Sequence, residues 1–203
     1  MKLHVIALLA ACPALAETTP VMVSLVTPVQ VPSRSYDVTG FRLSLLYGDC
    51  RDFTGFDLGV VQRTAGEFKG LEVGGVNIVC EKFSGVQLGL VNYADSFAGL
   101  QYGAVNCSGD SFCGFQDGFV DITCGRLVGM QYGLVNYSGG TYGIQSGIYL
   151  LLGLNYSSGS VKGCQVGFVN YADTMEYGLQ IGVLNIIANN GWLPVLPIVN
   201  GRF

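Results

Sequence analysis

Charged residues are scarce in this sequence. Only 12% of its 203 residues are Asp, Glu, Lys or Arg, whereas a typical soluble domain has about 25%. The net charge is −4, so the chain has no excess of basic side chains to neutralise phosphates, and we expect no nucleic-acid partner. Half of the residues are hydrophobic. This combination predicts a large apolar core, an outer surface that faces a membrane, or both.

Histidine is almost absent as well. The only one is His4, which lies in an N-terminal leader. Without His, the chain lacks Ser–His and Cys–His nucleophile pairs, His-ligated metals and the commonest general base. Acids are present, but Asp57 and Glu72 occupy the repeat position that Gln87 occupies in another copy, so we expect them to replace glutamine structurally. We therefore predict no enzyme activity, no catalytic or metal-binding residue and no cofactor.

Long apolar runs are missing too. No segment reaches the roughly 18 uninterrupted apolar residues of a transmembrane helix. The N-terminus instead has a short basic start, an apolar stretch at 3–11 and an Ala-x-Ala site that ends at Ala16, which is the pattern of an export signal. We expect residues 1–16 to be a signal peptide. The alternative is lipidation of Cys12, because the four residues that end there resemble the lipobox of bacterial lipoproteins. Either route predicts export to the bacterial cell envelope, at the outer membrane or surface or, alternatively, in the periplasm.

Glycine, by contrast, is abundant, with 30 residues, and most of it follows a repeat. Each copy reads Gly, an apolar residue, Gln or an acid, a variable residue, Gly, two mostly apolar residues and usually Asn. The copies begin at Gly55, Gly70, Gly85, Gly99, Gly114, Gly129, Gly163 and Gly178, with degenerate ones at Gly40 and Gly143. Their starts lie 14 or 15 residues apart, except for 20 residues between Gly143 and Gly163. A fixed period indicates one supersecondary unit used repeatedly.

This repeat predicts the domain organisation. We expect residues 17–203 to form a single repeat-built β domain, with the repeats at about 40–190. A Trp- and Pro-rich segment at 191–203 departs from the repeat, and we expect it to cap the structure.

Each copy is predicted to be a β-strand, because Gly at every fourth position would be costly in a helix. In residues 97–107, alternation puts Phe97 and Gln101 on one face and Tyr102 and Asn106 on the other. We predict an all-β fold, an antiparallel β-meander of about ten 15-residue repeats that closes into a shallow barrel, since closure removes exposed sheet edges. The alternative is a β-solenoid with one repeat per coil. It explains the uniform spacing, but it would leave the aromatic residue of most repeats hard to bury.

The repeated amides are candidate site residues. Stacked amides could line a lumen that binds a sugar or another polar solute, but we expect them to bond to one another and to the backbone, because an unpaired buried amide costs roughly 1–3 kcal/mol. The structural repeat amides are Gln87, Asn92, Gln101, Asn106, Gln131, Asn136, Gln165, Asn170, Gln180 and Asn185.

One copy is irregular. The stretched spacing after Gly143 contains five consecutive large apolar residues. They are Ile148, Tyr149, Leu150, Leu151 and Leu152. We expect this segment either to seal the mouth of the barrel or to form a tip that contacts a membrane.

The repeat resembles that of bacterial exported surface-repeat proteins of unknown function, which carry Gly-Leu-Gln-x-Gly-x-x-Asn runs and a Trp-Leu-Pro tail. It also resembles the predicted β-flower fold, a shallow antiparallel barrel. The motif lies at 85–92, 99–106, 129–136, 163–170 and 178–185, and the tail lies at 192–200. The resemblance implies a lipid or membrane association.

We therefore expect a non-enzymatic envelope or surface protein that acts as a membrane-associated interaction module. The alternative is a soluble scaffold whose variable turns bind a glycan, a lipid or a protein.

Overall fold

The computed structural model describes residues 17–147 and 152–203, and these residues form strands and turns without a helix. The ten strands make one sheet in the order β10-β9-β8-β7-β6-β5-β4-β3-β1-β2. Their bounds are β1 Thr18–Val26, β2 Val29–Val31, β3 Asp37–Cys50, β4 Phe53–Thr64, β5 Phe68–Leu88, β6 Val91–Tyr102, β7 Val105–Gly147, β8 Leu154–Val166, β9 Val169–Asn189 and β10 Val195–Arg202. The all-β prediction is confirmed.

The sheet winds into a β-solenoid of about eleven coils. Neighbouring repeats pair in parallel and in register, so that Gly55 pairs with Gly70 and Gly85 pairs with Gly99. At a strand spacing of about 4.8 Å, eleven coils make a rod about 50 Å long. The predicted antiparallel barrel is therefore wrong, and with it the barrel of the β-flower resemblance. The alternative, one repeat per solenoid coil, is the observed architecture.

The amides show why each repeat is a coil rather than a single strand. Gln101 and Asn106 are both fully buried, although they are five residues apart and a straight strand would put them on opposite faces. The chain reverses this parity by bending at Gly103 and Ala104. Equivalent bends occur at 89–90 and 167–168. Strict alternation of side chains through this region predicts the wrong face for Asn106, because the bend interrupts the alternation.

The aromatic residues are buried by stacking on one another. Phe53, Phe68, Phe83, Phe97 and Phe112 lie one above the other inside successive coils, all 3% exposed or less. Their ring centroids are 4.7 to 5.0 Å apart with interplanar angles of 4° to 17°. Parallel in-register strands impose this spacing, which suits stacked rings. The difficulty of burying an aromatic residue in every repeat, which favoured the barrel, therefore does not arise.

Antiparallel segments cover both ends of the rod. At the N-terminal end, β2 pairs antiparallel with β1, which itself continues the parallel stack. At the C-terminal end, β10 pairs antiparallel with β9. Trp192, which precedes β10, is half-exposed and lies against Phe203 rather than in the core. Both segments occupy sheet edges that would otherwise present unpaired backbone groups.

The opening glycines allow the coils to stack, which gives a first prediction. Gly99 has a φ of 135°, and a Cβ there would overlap the carbonyl oxygen of Gly85 in the coil below. We expect Gly99→Ala to lower the free energy of unfolding by more than about 2 kcal/mol, because only Gly adopts such a backbone conformation without strain. Urea unfolding followed by circular dichroism measures the effect.

Gly140→Ala is the matched control. The nearest atom to a Cβ at Gly140 is the Ser160 carbonyl oxygen, 3.4 Å away, and its φ lies outside the left-handed region. Equal stability of the two variants would contradict the role assigned to the opening glycines.

Candidate functional site: buried amide ladders and an outer apolar face

A ladder of glutamine side chains runs along the inside of the rod. In each step, Nε2 of one glutamine donates to Oε1 of the glutamine in the preceding coil, at 2.7 to 2.9 Å. The members are Gln87, Gln101, Gln116, Gln131, Gln145, Gln165 and Gln180, and all are buried. The in-register parallel strands bring equivalent side chains to hydrogen-bonding distance at every step.

A second ladder runs beside it in the opposite direction. Asn92 Nδ2 donates to Asn106 Oδ1 in the following coil at 2.9 Å and to the Tyr102 carbonyl oxygen at 2.8 Å. Asn77, Asn136, Asn155 and Asn170 repeat this pair of bonds, to the next coil's amide and to its backbone. Each asparagine thus ties two coils together close to the glycine bend.

The ten amides named from the sequence all belong to these two ladders, and each is fully buried. Most of their hydrogen bonds go to other ladder amides and to the backbone, and three of them also donate to a buried acid or hydroxyl. This arrangement leaves them without access to solvent or to an external solute. The sequence analysis did not name Gln116, Gln145 or Asn155, which occupy the same ladders.

Acids terminate the glutamine ladder at its N-terminal end. Gln87 Nε2 donates to one oxygen of Glu72 at 2.8 Å, and Arg42 donates two hydrogen bonds to one oxygen of Asp57. The other oxygen of Glu72 and the other oxygen of Asp57 are buried without a hydrogen-bond partner, and the two residues pair in adjacent strands. Burial and the charge of Asp57 raise the pKa of Glu72 to about 8. A protonated Glu72 therefore supplies the donor that a glutamine would supply here.

Asp121 takes the place of an asparagine in the second ladder. It accepts from Asn106 at 2.8 Å through Oδ1, whereas its Oδ2 and the Oδ1 of Asn136 are buried without a partner. A Cβ on Gly133 would lie 2.8 Å from Asp121 Oδ2 and 2.9 Å from Asn136 Oδ1. The two unpaired oxygens therefore adjoin the same point of the core, where a complete ladder has an amide donor facing an acceptor.

Burial raises the pKa of Asp121 to about 7, a shift that the hydrogen bond from Asn106 opposes and the charge of Asp117 assists. A protonated Asp121 has a hydroxyl that donates to Asn136 and completes the ladder. The ladder is therefore continuous when Asp121 is protonated and interrupted when it is ionised.

The outside of the rod differs sharply from the inside. Between each opening glycine and the asparagine position, the residues that alternate with the ladder amides point outward. Together with residues 21–26 of the first coil, they form a surface that we call the apolar face. Its exposed members are Val21, Val23, Leu25, Val26, Leu45, Leu46, Phe56, Leu58, Val60, Leu71, Leu90, Val91, Tyr102, Phe119, Ile144, Leu154, Phe168, Ile181, Val183 and Leu184. In-register stacking turns these equivalent positions into stripes along the rod.

Charge is nearly absent from this face. Among the described residues between the opening glycines and the asparagine positions, only Arg42, Asp57, Glu72 and Asp117 are charged. The first three are fully buried in the core. Asp117 is thus the only charged side chain that reaches the surface there. Exposed acids and bases, such as Glu67 and Lys69, lie instead on the segments that precede the opening glycines or follow the asparagines.

The bend of each coil makes the apolar face convex. The residue after the bend glycine projects from this corner: Val60 is 53%, Leu90 68% and Phe119 64% exposed. We call the row of these corner residues the apolar ridge. Exposed apolar patches larger than a few hundred Å² are unusual on soluble monomers and mark interaction sites.

The irregular repeat departs from the rod at the same corner. The chain leaves at Gly147 and returns at Gly153, and these two glycines are in contact. Of the candidate seal or tip, Leu152 is exposed, whereas residues 148–151 lie outside the described residues. Because the fold is not a barrel, there is no barrel mouth for this segment to seal. The predicted cleavage after Ala16 and the alternative lipidation of Cys12 also lie outside the described residues.

The apolar face was not expected from the sequence, because the predicted barrel places these positions in its wall. Its signal was nevertheless present, since four outward positions in nearly every copy carry no charge. The described residues contain no group of three or more His, Cys, Asp or Glu that could hold a metal ion. No helix among them is long and apolar enough to cross a membrane.

Comparison with known proteins finds no match to this chain among protein families, curated proteins or solved structures.

The acids in the ladders predict a specific pH dependence. The pKa of Asp121 is about 7 in the folded chain against an ordinary 3.8, so the folded state binds the proton more tightly than the unfolded state does. The stabilisation is complete below about pH 4 and is lost as the pH rises to about 7. We expect Asp121→Asn, which supplies the donor at every pH, to be more stable than the wild type at pH 8, by an amount on the order of a few kcal/mol since one pKa unit corresponds to about 1.4 kcal/mol.

Urea unfolding at pH 5 and pH 8 measures this effect. Glu72 contributes a further loss of stability between about pH 4.5 and 8 in both proteins, so the difference between them isolates Asp121. Asp95→Asn, which makes the same change in β6 outside the two ladders, is the control. A stability gap between wild type and Asp121→Asn that does not widen from pH 5 to pH 8 would show that the ladder does not depend on this proton.

Proposed function

We propose that this chain is a non-enzymatic, membrane-associated module of the bacterial cell envelope that adsorbs to a lipid surface through its apolar face. The observation that supports this proposal is the separation of charge on the rod. The apolar face exposes large aliphatic and aromatic side chains in nearly every coil and has one charged residue at its surface, the half-buried Asp117, whereas the other charges at the surface lie outside this face. Such a surface matches the chemistry of an acyl layer bordered by water.

The convex shape of the face favours a bilayer over a second copy of the chain. Leu90 and Phe119 project from a corner, and two identical convex ridges cannot cover each other's flanks. A fluid bilayer adapts its shape to a ridge and buries both of its sides. Each large apolar side chain that enters it contributes about 1.5–3 kcal/mol, so a few ridge residues are sufficient for binding.

The envelope location in this proposal comes from the leader in residues 1–16. If Cys12 is lipidated, the acyl chains and the apolar face would act on the same membrane, and two anchors give much more stable attachment than one. The lipid anchor and the face therefore have to be tested separately.

Flotation with lipid vesicles tests the face. The full chain carrying Cys12→Ala, which removes the lipidation site, is expressed with its leader and mixed with phosphatidylcholine vesicles. We expect it to float with the vesicles and expect Val60→Ser, Leu90→Ser and Phe119→Ser together to lower the bound fraction at least about tenfold, because three exposed apolar side chains are removed. All three are more than half exposed, so the folded structure does not depend on their packing.

The matched control combines Val128→Ser, Tyr142→Ser and Tyr177→Ser, which are exposed apolar residues just before opening glycines and outside the apolar face. It is expected to float like the parent protein. Equal flotation of the two triple variants, or a parent protein that stays in solution, would refute the proposal. A parent protein that dimerises without lipid, and loses the dimer with the ridge residues, would identify a second copy as the partner.

A further inference from the structure

The apolar ridge lacks a large side chain at two corners, Gly75 and Ala104, and an acidic residue lies beside the second. The corner residue of the coil that opens at Gly99 is Ala104, whereas the coils on either side carry Leu90 and Phe119 at this position. The missing side chain leaves a cleft of about 310 Å³ over the Gly103 backbone. We call this cleft the ridge notch. Its volume is at the lower limit of small-molecule pockets, so it suits a small head group rather than a whole ligand.

Asp117, the one charged residue of the apolar face that reaches the surface, is half-buried and lines this notch. Equivalent positions in other coils carry uncharged residues such as Leu88 and Ile181. Its carboxylate has no hydrogen-bond or ion-pair partner among the described residues, and desolvation raises its pKa. Partial burial of an acid without a partner costs some stability, and a cation from outside the chain that pairs with Asp117 would offset this cost.

The other walls of the notch define which cation fits. Tyr102 pairs in register with Asp117 on the neighbouring strand, and Phe119 stands two residues further along. A calcium ion requires six to eight oxygen ligands, and the notch offers one carboxylate and carbonyls already bonded within the sheet, such as that of Asp117 to Gly103. Two aromatic rings beside one carboxylate are instead the surroundings that recognise an ammonium group.

We propose that the ridge notch binds the ammonium group of a zwitterionic lipid head group, with the Asp117 carboxylate as its counter-ion and the rings of Tyr102 and Phe119 beside it. This inference rests on the proposed membrane association and adds a lipid class to it. A lipid is the expected source because the notch interrupts a ridge of Leu90 and Phe119, which would lie along the acyl chains of the same molecule. The net charge of −4 also disfavours anionic lipids.

A soluble lipid tests the notch without a bilayer. Monomeric dihexanoylphosphatidylcholine, below its micelle concentration, is titrated into the Cys12→Ala protein while amide signals of Gly103, Ala104 and Phe119 are followed by NMR. We expect saturable shifts at these amides and at least tenfold weaker binding of dihexanoylphosphatidylglycerol, which has the same chains and no ammonium group. Asp117→Asn is expected to weaken phosphatidylcholine binding at least tenfold.

Two further variants make the result specific. Asp110→Asn makes the same change at an exposed position of β7 outside the apolar face and is expected to bind like the parent protein. Tyr102→Leu introduces the residue that Leu88 provides in the preceding coil, so it folds, and it is expected to weaken binding of phosphatidylcholine. Equal affinity for the two lipids, or an Asp117→Asn variant that binds like Asp110→Asn, would overturn the proposal.

The two proposals fail in different ways. Vesicles that do not float the protein, together with selective binding of the soluble phosphatidylcholine, would refute the membrane association and leave the notch as a site for the head group. Flotation without any preference between the two soluble lipids would refute the notch alone.

Discussion

The hydrogen bond between equivalent amides of adjacent coils is the constraint on which the rest of the structure depends. A buried primary amide must both donate and accept, because each unpaired group costs roughly 1–3 kcal/mol. Gln101 meets this requirement by donating to Gln87 at 2.8 Å and accepting from Gln116 at 2.7 Å. Such a chain of bonds is possible only if every coil has the same shape and register. The ladder therefore determines the parallel stacking, and the Phe stack follows from the same register.

The two ladders run in opposite directions, and this reduces the net dipole that a single ladder would create. Glutamine amides donate toward the N-terminal end, and asparagine amides donate toward the C-terminal end. Their dipoles oppose one another, so the core avoids the large net dipole that aligned amides would produce. The ladder ends still need partners. Arg42, Asp57 and Glu72 lie at one end. At the other end, Asn185 donates to the Gly182 carbonyl, whereas Gln180 Oε1 is buried without a hydrogen-bond partner.

The sequence was sufficient to predict the repeat and the all-β class, because these follow from period and composition. It was insufficient for the architecture, because the decisive fact is the parity between Gln101 and Asn106. A spacing of five residues between two polar positions can mean opposite faces of one strand or the same interior on either side of a bend. The bend at Gly103 decides between them, and Gly is also compatible with a curved barrel strand. The need to bury each Phe favoured the barrel, which is wrong, because in a solenoid each Phe is buried by stacking on the Phe of the neighbouring coil.

The apolar face follows from the same constraint as the ladders. Stacking in register requires only that the inward positions of every coil carry equivalent side chains. The outward positions are therefore free to carry charge, as the segments before the opening glycines do. A rod that only had to be soluble would gain from charges there, and its parallel strands would tolerate them at the bend. Instead, every exposed outward position between the opening glycine and the asparagine is uncharged except Asp117. The fold does not require this uncharged surface, which extends over about 50 Å of rod. Its explanation therefore has to lie in what the rod contacts. The exception, Asp117, lies beside Ala104, one of the two corners at which the ridge lacks a large side chain, rather than at an arbitrary place on the face.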